Sequence, residues 1–306
     1  MYYSPVIVFA YNRLGHLKKT INSLKKNIYA NRTKLIIYLD YPKSKEALYD
    51  YLLVKNFCSK IKGFKKKTLI LRTRNFGLSK NIISAVNFEI QKYKSLIILE
   101  DDMVCDKYFL KYMNFFLDAY KNNKNVVSIH GYNYPLKHKK KLNDFFFLKG
   151  ADCWGWGTWP SKWKIYSRNT NLLINKIKKN NIKKDFNFNN SYNYYKMLND
   201  KLENKNNSWA INWYASAFLK NKLTLYPKHS LIKNIGMDGT GIHSQHSNKF
   251  RVRLRNKAIN LNKNIIVKEN QLARVLFINF FKSLRMDLKN LIFNKLKNVI
   301  VSKKIL

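Results

Sequence analysis

Five short apolar runs punctuate the first 131 residues, and segments with helical spacing separate them. The runs are PVIVFA (5–10), KLIIYLD (34–40), KTLILR (67–72), SLIILEDD (95–102) and VVSIHG (126–131). Residues 14–29, 44–61, 75–93 and 106–121 lie between them, and Leu14, Leu17, Ile21 and Leu24 mark one face of the first. The runs are continuously apolar, not alternating, which is the pattern of strands covered on both faces. Their alternation with helices predicts an α/β fold, a mostly parallel sheet flanked by helices. In such sheets ligands bind beyond the carboxyl ends of the strands. Chemistry is therefore expected at Tyr11, Asn12 and Arg13, at Asp40, from Arg72 to Asn75, and at Glu100, Asp101 and Asp102.

The last of these sites stands out against the composition. The 306 residues include 59 Lys and Arg but 17 Asp and Glu, a formal net charge of +42. Three adjacent carboxylates at the end of a buried strand repel one another unless a cation sits among them. Mg²⁺ and Mn²⁺ suit the place, because they take oxygen ligands and complete their shells with substrate phosphates. The competing reading is a solvated acidic turn paired with lysines.

The charge itself suits nucleic acid, an anionic membrane or phosphorylated ligands. Its Lys, Asn and Ile texture fits an AT-rich coding bias equally well. The aromatics sit in apolar runs and no nucleic-acid motif appears, so nucleic acid is the alternative and not the expected partner. Cys58, Cys105 and Cys153 lack metal-site spacing and read as free thiols of a reducing cytoplasm. No run approaches the ~20 apolar residues of a membrane span. The first residues lack the basic segment that opens a signal peptide.

From residue 132 the texture changes. KHKKKLND (137–144) is a charged loop. FFFLKGADCWGWGTWPSKW (145–163) alternates small residues with Trp, as a wall for a sugar or a Trp-rich core wedge would. Residues 170–208 are Asn/Lys-rich and helical in spacing, and SWAINWYASAFLKNKLTLYP (208–227) reads as a helix and a short strand. NIGMDGTGIHS (234–244) is a Gly-rich loop. Residues 250–306 form a basic amphipathic extension, with Leu272, Val275, Leu276, Phe280, Leu284, Leu288, Leu291 and Ile292 near one face. Such a helix lies on an anionic bilayer or packs on its own domain.

The matching segments are SPVIVFAYNRLGHLKKTINSL, NFGLSKNIISAVN, IILEDDMVCDKYFLKYMN, KGADCWGWGTWPSKW, SWAINWYASAFLKNKLTLYP and NIGMDGTGIHS. Their order resembles the GT-A-fold nucleotide-diphospho-sugar glycosyltransferases. It is most similar to bacterial family-2-like transferases of surface-polysaccharide gene clusters, and more distantly to N-acetylglucosaminyltransferase I. The resemblance spans residues 4–244. It implies a nucleotide-sugar-binding half (1–131), an acceptor-binding half (132–249) and the extension 250–306. It also implies a nucleotide-sugar donor, UDP by default, and Mn²⁺ or Mg²⁺ as cofactor. The acceptor would be a hydroxyl of a lipopolysaccharide, lipooligosaccharide or capsule glycan, free or lipid-linked. The reaction would be inverting, in the cytoplasm at the inner face of the plasma membrane.

Roles follow residue by residue. Glu100, Asp101 and Asp102 match the family's DxD-type motif, which makes Asp102 the metal ligand and places Asp101 on the donor. Tyr11, Asn12 and Arg13 would hold base and diphosphate, an aromatic stacking and an arginine pairing with phosphate; the alternative is a helix start capped by Asn12. Asp40 would accept from uracil or ribose, or else be a turn residue before Pro42. Arg72, Asn75 and Gly77 would line the base, or form a turn into the next helix. Trp154 would wall the donor sugar. His243 would meet the metal or a phosphate. Relatives carry an acid near the segment matching NNSWAINW, where this chain has Asn206, Asn207 and Asn212. Asparagine cannot act as a general base. Asp152, Glu203 and Asp238 remain, Asp152 first, and a chain that binds donor without transferring sugar stays open.

Overall fold

All five apolar runs form strands, in the order and nearly at the positions their spacing predicts. The computed structural model describes residues 2–240 and 247–285. Its first half runs β1 (Val6–Ala10), α1 (Leu14–Lys25), β2 (Lys34–Leu39), α2 (Leu48–Ser59), β3 (Lys66–Leu71) and α3 (Leu78–Glu89). It continues with β4 (Leu96–Glu100), β5 (Met103–Cys105), α4 (Phe109–Ala119) and β6 (Val126–His130). The second half runs β7 (Phe145–Lys149), β8 (Trp156–Thr158), α5 (Pro160–Trp163), α6 (Thr170–Lys179) and α7 (Lys183–Phe186). It ends with α8 (Tyr194–Leu202), α9 (Ala210–Leu219), β9 (Leu223–Pro227) and β10 (Ile232–Asn234).

One eight-stranded sheet has the order β3-β2-β1-β4-β8-β6-β9-β7. The β1–β2, β2–β3, β1–β4 and β6–β9 pairs are parallel. β8 runs antiparallel to both β4 and β6, and β7 antiparallel to β9. A second, two-stranded ribbon pairs β10 with β5. The chain steps outward from β1 through β2 to β3 and then returns to the other side of β1 as β4. This reversal opens a crevice at the carboxyl ends of β1 and β4, where α/β sheets bind ligands.

The strands are apolar throughout because both sheet faces are covered. Val6, Val8 and Ala10 point into one core layer, Ile7 and Phe9 into the other, as the two-residue period of a strand requires. β3 departs from this. It stands at the sheet edge with one neighbour, and its residues are only partly buried. Trp156 lies wholly buried among Trp163, Trp209 and Trp213, with ring centroids 5.6, 5.4 and 5.8 Å away. This part of the Trp-rich segment is thus a core wedge.

The chain after residue 250 crosses the second half without regular structure and becomes helical over 271–285. Ala273, Leu276, Phe277, Ile278 and Phe281 of that helix are buried in the larger core layer. The buried stripe differs from the expected one, since Leu272 and Val275 are exposed. Arg274 shows why. It is buried, and its guanidinium donates to Asp185 and, at 3.3 Å, to Glu269. Turning this arginine inward to its acids sets the rotation of the helix. Leu288, Leu291 and Ile292 lie outside the described residues.

Candidate functional site

The crevice is built by three segments, the turn after β1, the acids after β4 and the loop after β10. Arg13 follows β1, and its Nη2 donates to Asp101 and, at 2.7 Å, to Asp102 Oδ2. Thr20 on α1 donates 2.7 Å to the Asp101 carbonyl, fixing the backbone of the acidic turn. Burial opposes the charge on Arg13, but Asp101 and Asp102 hold its pKa above the ordinary value. Burial, then repulsion from Asp102 and Asp101, pushes Glu100 up to about 8. Burial pushes Asp101 up to about 6, against the attraction of Arg13. One guanidinium faces two buried carboxylates and the half-buried Glu100. The solvated-turn reading therefore fails, as Asp101 and Asp102 are 5% and 7% exposed.

The loop after β10 lies over this cluster. Ile235 N–H donates 2.9 Å to the Asp102 carbonyl, and Gly236 N–H donates 2.8 Å to the Asn234 side chain. A Cβ at Gly236 would stand 2.0 Å from Asp102 Oδ2. Only glycine permits that approach. Two residues on, Asp238 meets His16 Nε2 at 2.9 Å and accepts from the Thr240 hydroxyl. The Thr240 bond, then those from its backbone and from His16, hold the Asp238 carboxyl down at about 2 against the opposing effect of burial.

Asp102 Oδ1 is buried and has no hydrogen-bond partner. Among the described residues no cluster of three or more His, Cys, Asp or Glu side chains forms a metal cage. The donor set still suits a hard cation, which binds through one or two carboxylates and completes its shell from substrate oxygens. Asp102 Oδ1 offers the open carboxylate oxygen such an ion takes. His243 lies outside the described residues.

The loops after β2 and β3 extend the crevice. Asp40 is buried, and its Oδ1 accepts from Tyr41 N–H at 3.0 Å and Phe76 N–H at 2.9 Å. Asn75 donates 2.6 Å to the Tyr41 carbonyl, and Lys43 N–H donates 2.9 Å to the Tyr11 hydroxyl. Asp40 thus ties two loops together. Gly77 adopts φ 68° just before α3, a left-handed conformation that favours glycine. Arg72 faces α3, donating to Asn81 Oδ1 at 2.9 Å and Ser84 Oγ at 2.8 Å, with Tyr38 and Phe76 rings against its guanidinium. Its donors are held by the fold and hold Phe76 in turn. Asn12 does not cap α1, since Arg13 precedes that helix and no side chain caps it.

Asp152 stands across the crevice. β8 runs against β4 with Trp156 opposite Ile98, so the residues before Trp156 emerge at the edge where β4 reaches Glu100. Asp152 Oδ2 accepts 3.0 Å from the Tyr134 hydroxyl, and Oδ1 accepts 2.8 Å from Cys153 N–H. Burial raises the Cys153 thiol pKa well above its ordinary value, and Asp152, Glu100 and Asp102 add to it. This thiol senses acids from both walls. Trp154 N–H donates 3.0 Å to His130 Nε2, and the half-buried Trp154 ring lies edge-on to Tyr132. Burial lowers the His130 pKa, keeping it a neutral acceptor.

Glu203 is not drawn in. It follows α8, half-exposed, and pairs with Lys205. No hydrogen bond or ion pair among the described residues joins it to the crevice. Asn212 is buried and donates 3.0 Å to the Ser167 carbonyl, a structural role. Sequence reasoning missed His16, Thr20 and Tyr134. The first two sit one and two turns into α1 beyond Arg13, and that spacing was the available signal.

The profile of Glycosyl transferase family 2 matches residues 6–206. Solved structures with likeness include S. aureus TarS, at 14% identity and TM-score 0.30 over 42% of this chain and 21% of that one. TarS 1-349 in complex with UDP gives 16% and 0.31 over 42% and 35%. The mannosyltransferase PcManGT from Pyrobaculum calidifontis, in complex with GDP-Man and Mn²⁺, gives 12% and 0.28 over 42% and 36%. The chain thus spans well under half the length of these three relatives. No curated protein matches it.

Proposed function

Because the chain belongs to glycosyl transferase family 2, we propose that this crevice transfers a sugar from a nucleoside-diphosphate donor, UDP first, to a hydroxyl of a cell-surface glycan. The observation that carries the reading is Asp102 Oδ1, a buried carboxylate oxygen without a partner at the β1/β4 reversal. Bound there, Mn²⁺ or Mg²⁺ would supply Lewis-acid stabilisation of the departing diphosphate. Asp102 would hold it, with Arg13 fixing the Asp102 carboxylate, Asp101 turned to the donor and His243 a further candidate ligand. The loop at Gly236 packs against the other oxygen of that carboxylate, Oδ2.

Tyr11, Asp40 and Asn75 would line the nucleoside. Gly77 shapes that loop, and Arg72 acts through Phe76. Trp154 offers an aromatic face to the donor sugar. Asp152 would take the acceptor proton, its two oxygens oriented by Tyr134 and Cys153. A base on the face opposite the leaving group gives inversion in a single displacement. Asp238, bound to His16 and Thr240, suits loop closure better than proton transfer, and among the described residues Glu203 makes its ion pair with Lys205 and none with the crevice. The work would be done at the inner face of the plasma membrane. No helix among the described residues is long and apolar enough to cross a membrane.

The test is calorimetric titration of UDP with Mn²⁺ and with EDTA, on wild type and Asp102→Asn. Metal-dependent binding, lost in the variant, is expected. Equal binding in both buffers, or in both proteins, would remove Asp102 from the metal and sink the reading.

A further inference from the structure

Beside Tyr134, among the residues 133–139, 229–230 and 251–257, lies a cavity of about 610 Å³, within the size range of small-ligand sites. Lys139, Arg251, Arg253, Arg255 and Lys257 line it, together with His229. Among the described residues, none of those five cations makes an ion pair. Three of the chain's ten arginines fall within five residues here, while 49 lysines spread over the whole sequence. Coding bias towards lysine does not account for that clustering.

The strap that carries them is held in place. Tyr132 donates 2.8 Å to the Phe250 carbonyl, Asn256 N–H donates 2.7 Å to Asp106, and Lys107 N–H donates 3.1 Å to Asn256. Between these anchors Arg251, Arg253 and Arg255 are exposed, while Val252 and Leu254 are half-buried. The arrangement presents three planar forks from one pinned segment, the geometry that grips phosphate oxygens. Tyr134 lines the cavity and its hydroxyl reaches Asp152. Tyr134 therefore touches both the cationic cavity and the candidate base.

We infer that the cavity walled by Lys139, Arg251, Arg253, Arg255 and Lys257 binds a phosphate or diphosphate group carried by the acceptor, seating its hydroxyl beside Asp152. Assigning that phosphate to the acceptor rests on the transferase reading, whereas phosphate binding by the cavity does not.

The experiment measures inorganic pyrophosphate binding in EDTA, which silences the metal site, on the full chain and on the Arg251→Gln/Arg253→Gln/Arg255→Gln variant. The substituted side chains are exposed, and an unchanged thermal midpoint checks folding. A second variant, Lys139→Gln, repeats the test from the opposite wall. Weakening of about tenfold or more is expected, with UDP binding in Mn²⁺ unchanged. Equal pyrophosphate affinity in the triple variant overturns the inference, as does displacement of pyrophosphate by metal-free UDP at equal affinity. A short single-stranded DNA bound more tightly, with the same arginine dependence, also overturns it in favour of nucleic acid. A short-chain prenyl diphosphate is the remaining arm. Tighter binding than pyrophosphate supports a lipid-linked acceptor, and equal binding supports a soluble phosphorylated glycan. If pyrophosphate binds and UDP does not, the transferase reading fails and the cavity stands.

Discussion

Gly236 and Asp102 are in such close contact that a single methyl group separates a working arrangement from a broken one. A Cβ at 236 would fall 2.7 Å from Asp102 Cγ and 3.1 Å from Arg13 Nη1. Gly236→Ala is expected to displace the carboxylate or lift the loop, weakening metal-dependent UDP binding by about tenfold or more with little change in thermal midpoint. Asp152→Asn should leave UDP binding intact and lower kcat by about 10²–10⁴-fold, as single-turnover transfer assays would show. The acids after β4 were legible in the sequence because a strand end in an α/β sheet is where ligands sit. The partners that hold them were not. Arg13 closing on Asp101 and Asp102 spans 88 and 89 residues of chain, and no local pattern reports a contact of that separation. Glu203 was selected by chemistry alone, and its half-exposed pairing with Lys205 is what a surface carboxylate ordinarily does.

The first half of the fold could be read element by element, since a buried parallel strand is a continuous apolar run. β8 could not. Its three residues are Trp156, Gly157 and Thr158, too few and too mixed to show a period. Gly157 is nevertheless required, as a Cβ there would stand 2.9 Å from the Leu96 carbonyl across the sheet. The helical stretch 271–285 was legible as amphipathic but turned about its axis, because the ion pairs of Arg274 and not hydrophobicity alone decide its inward face. Phe277 is 2% exposed and touches Phe146, Tyr226 and Phe281 rings. Phe277→Ala is expected to destabilise by about 3–5 kcal/mol in urea unfolding. If that helix stood away from the domain, the loss would be under about 1 kcal/mol.

At the scale of the molecule the excess charge acts on stability through particular places. His229 lines the cationic cavity, and its pKa falls from 6.5 to about 4 through burial and the proximity of Lys139, Arg255 and Lys228, against Asp144. The unfolded chain takes up this proton first as pH falls. The contribution is therefore complete above pH 6.5 and lost as pH drops through 4. Thermal midpoints between these limits should fall less steeply for His229→Gln than for wild type. A steeper fall in the variant would mean that His229 gains a partner on protonation.

The antiparallel β8 also bears on how the polypeptide can be divided. It is hydrogen-bonded to β4 on one side and β6 on the other, so the strip leading to Asp152 fills the seam of a sheet begun by the strands of the first half. A chain cut near residue 132 would leave one fragment with raw edges on β4, β5 and β6, and the other with β8 and β10 orphaned. Neither piece is a folding unit, but each is the template the other needs. Co-expressed, they should reassemble, because the second fragment returns β8 to the sheet and the Gly236 loop to Asp102.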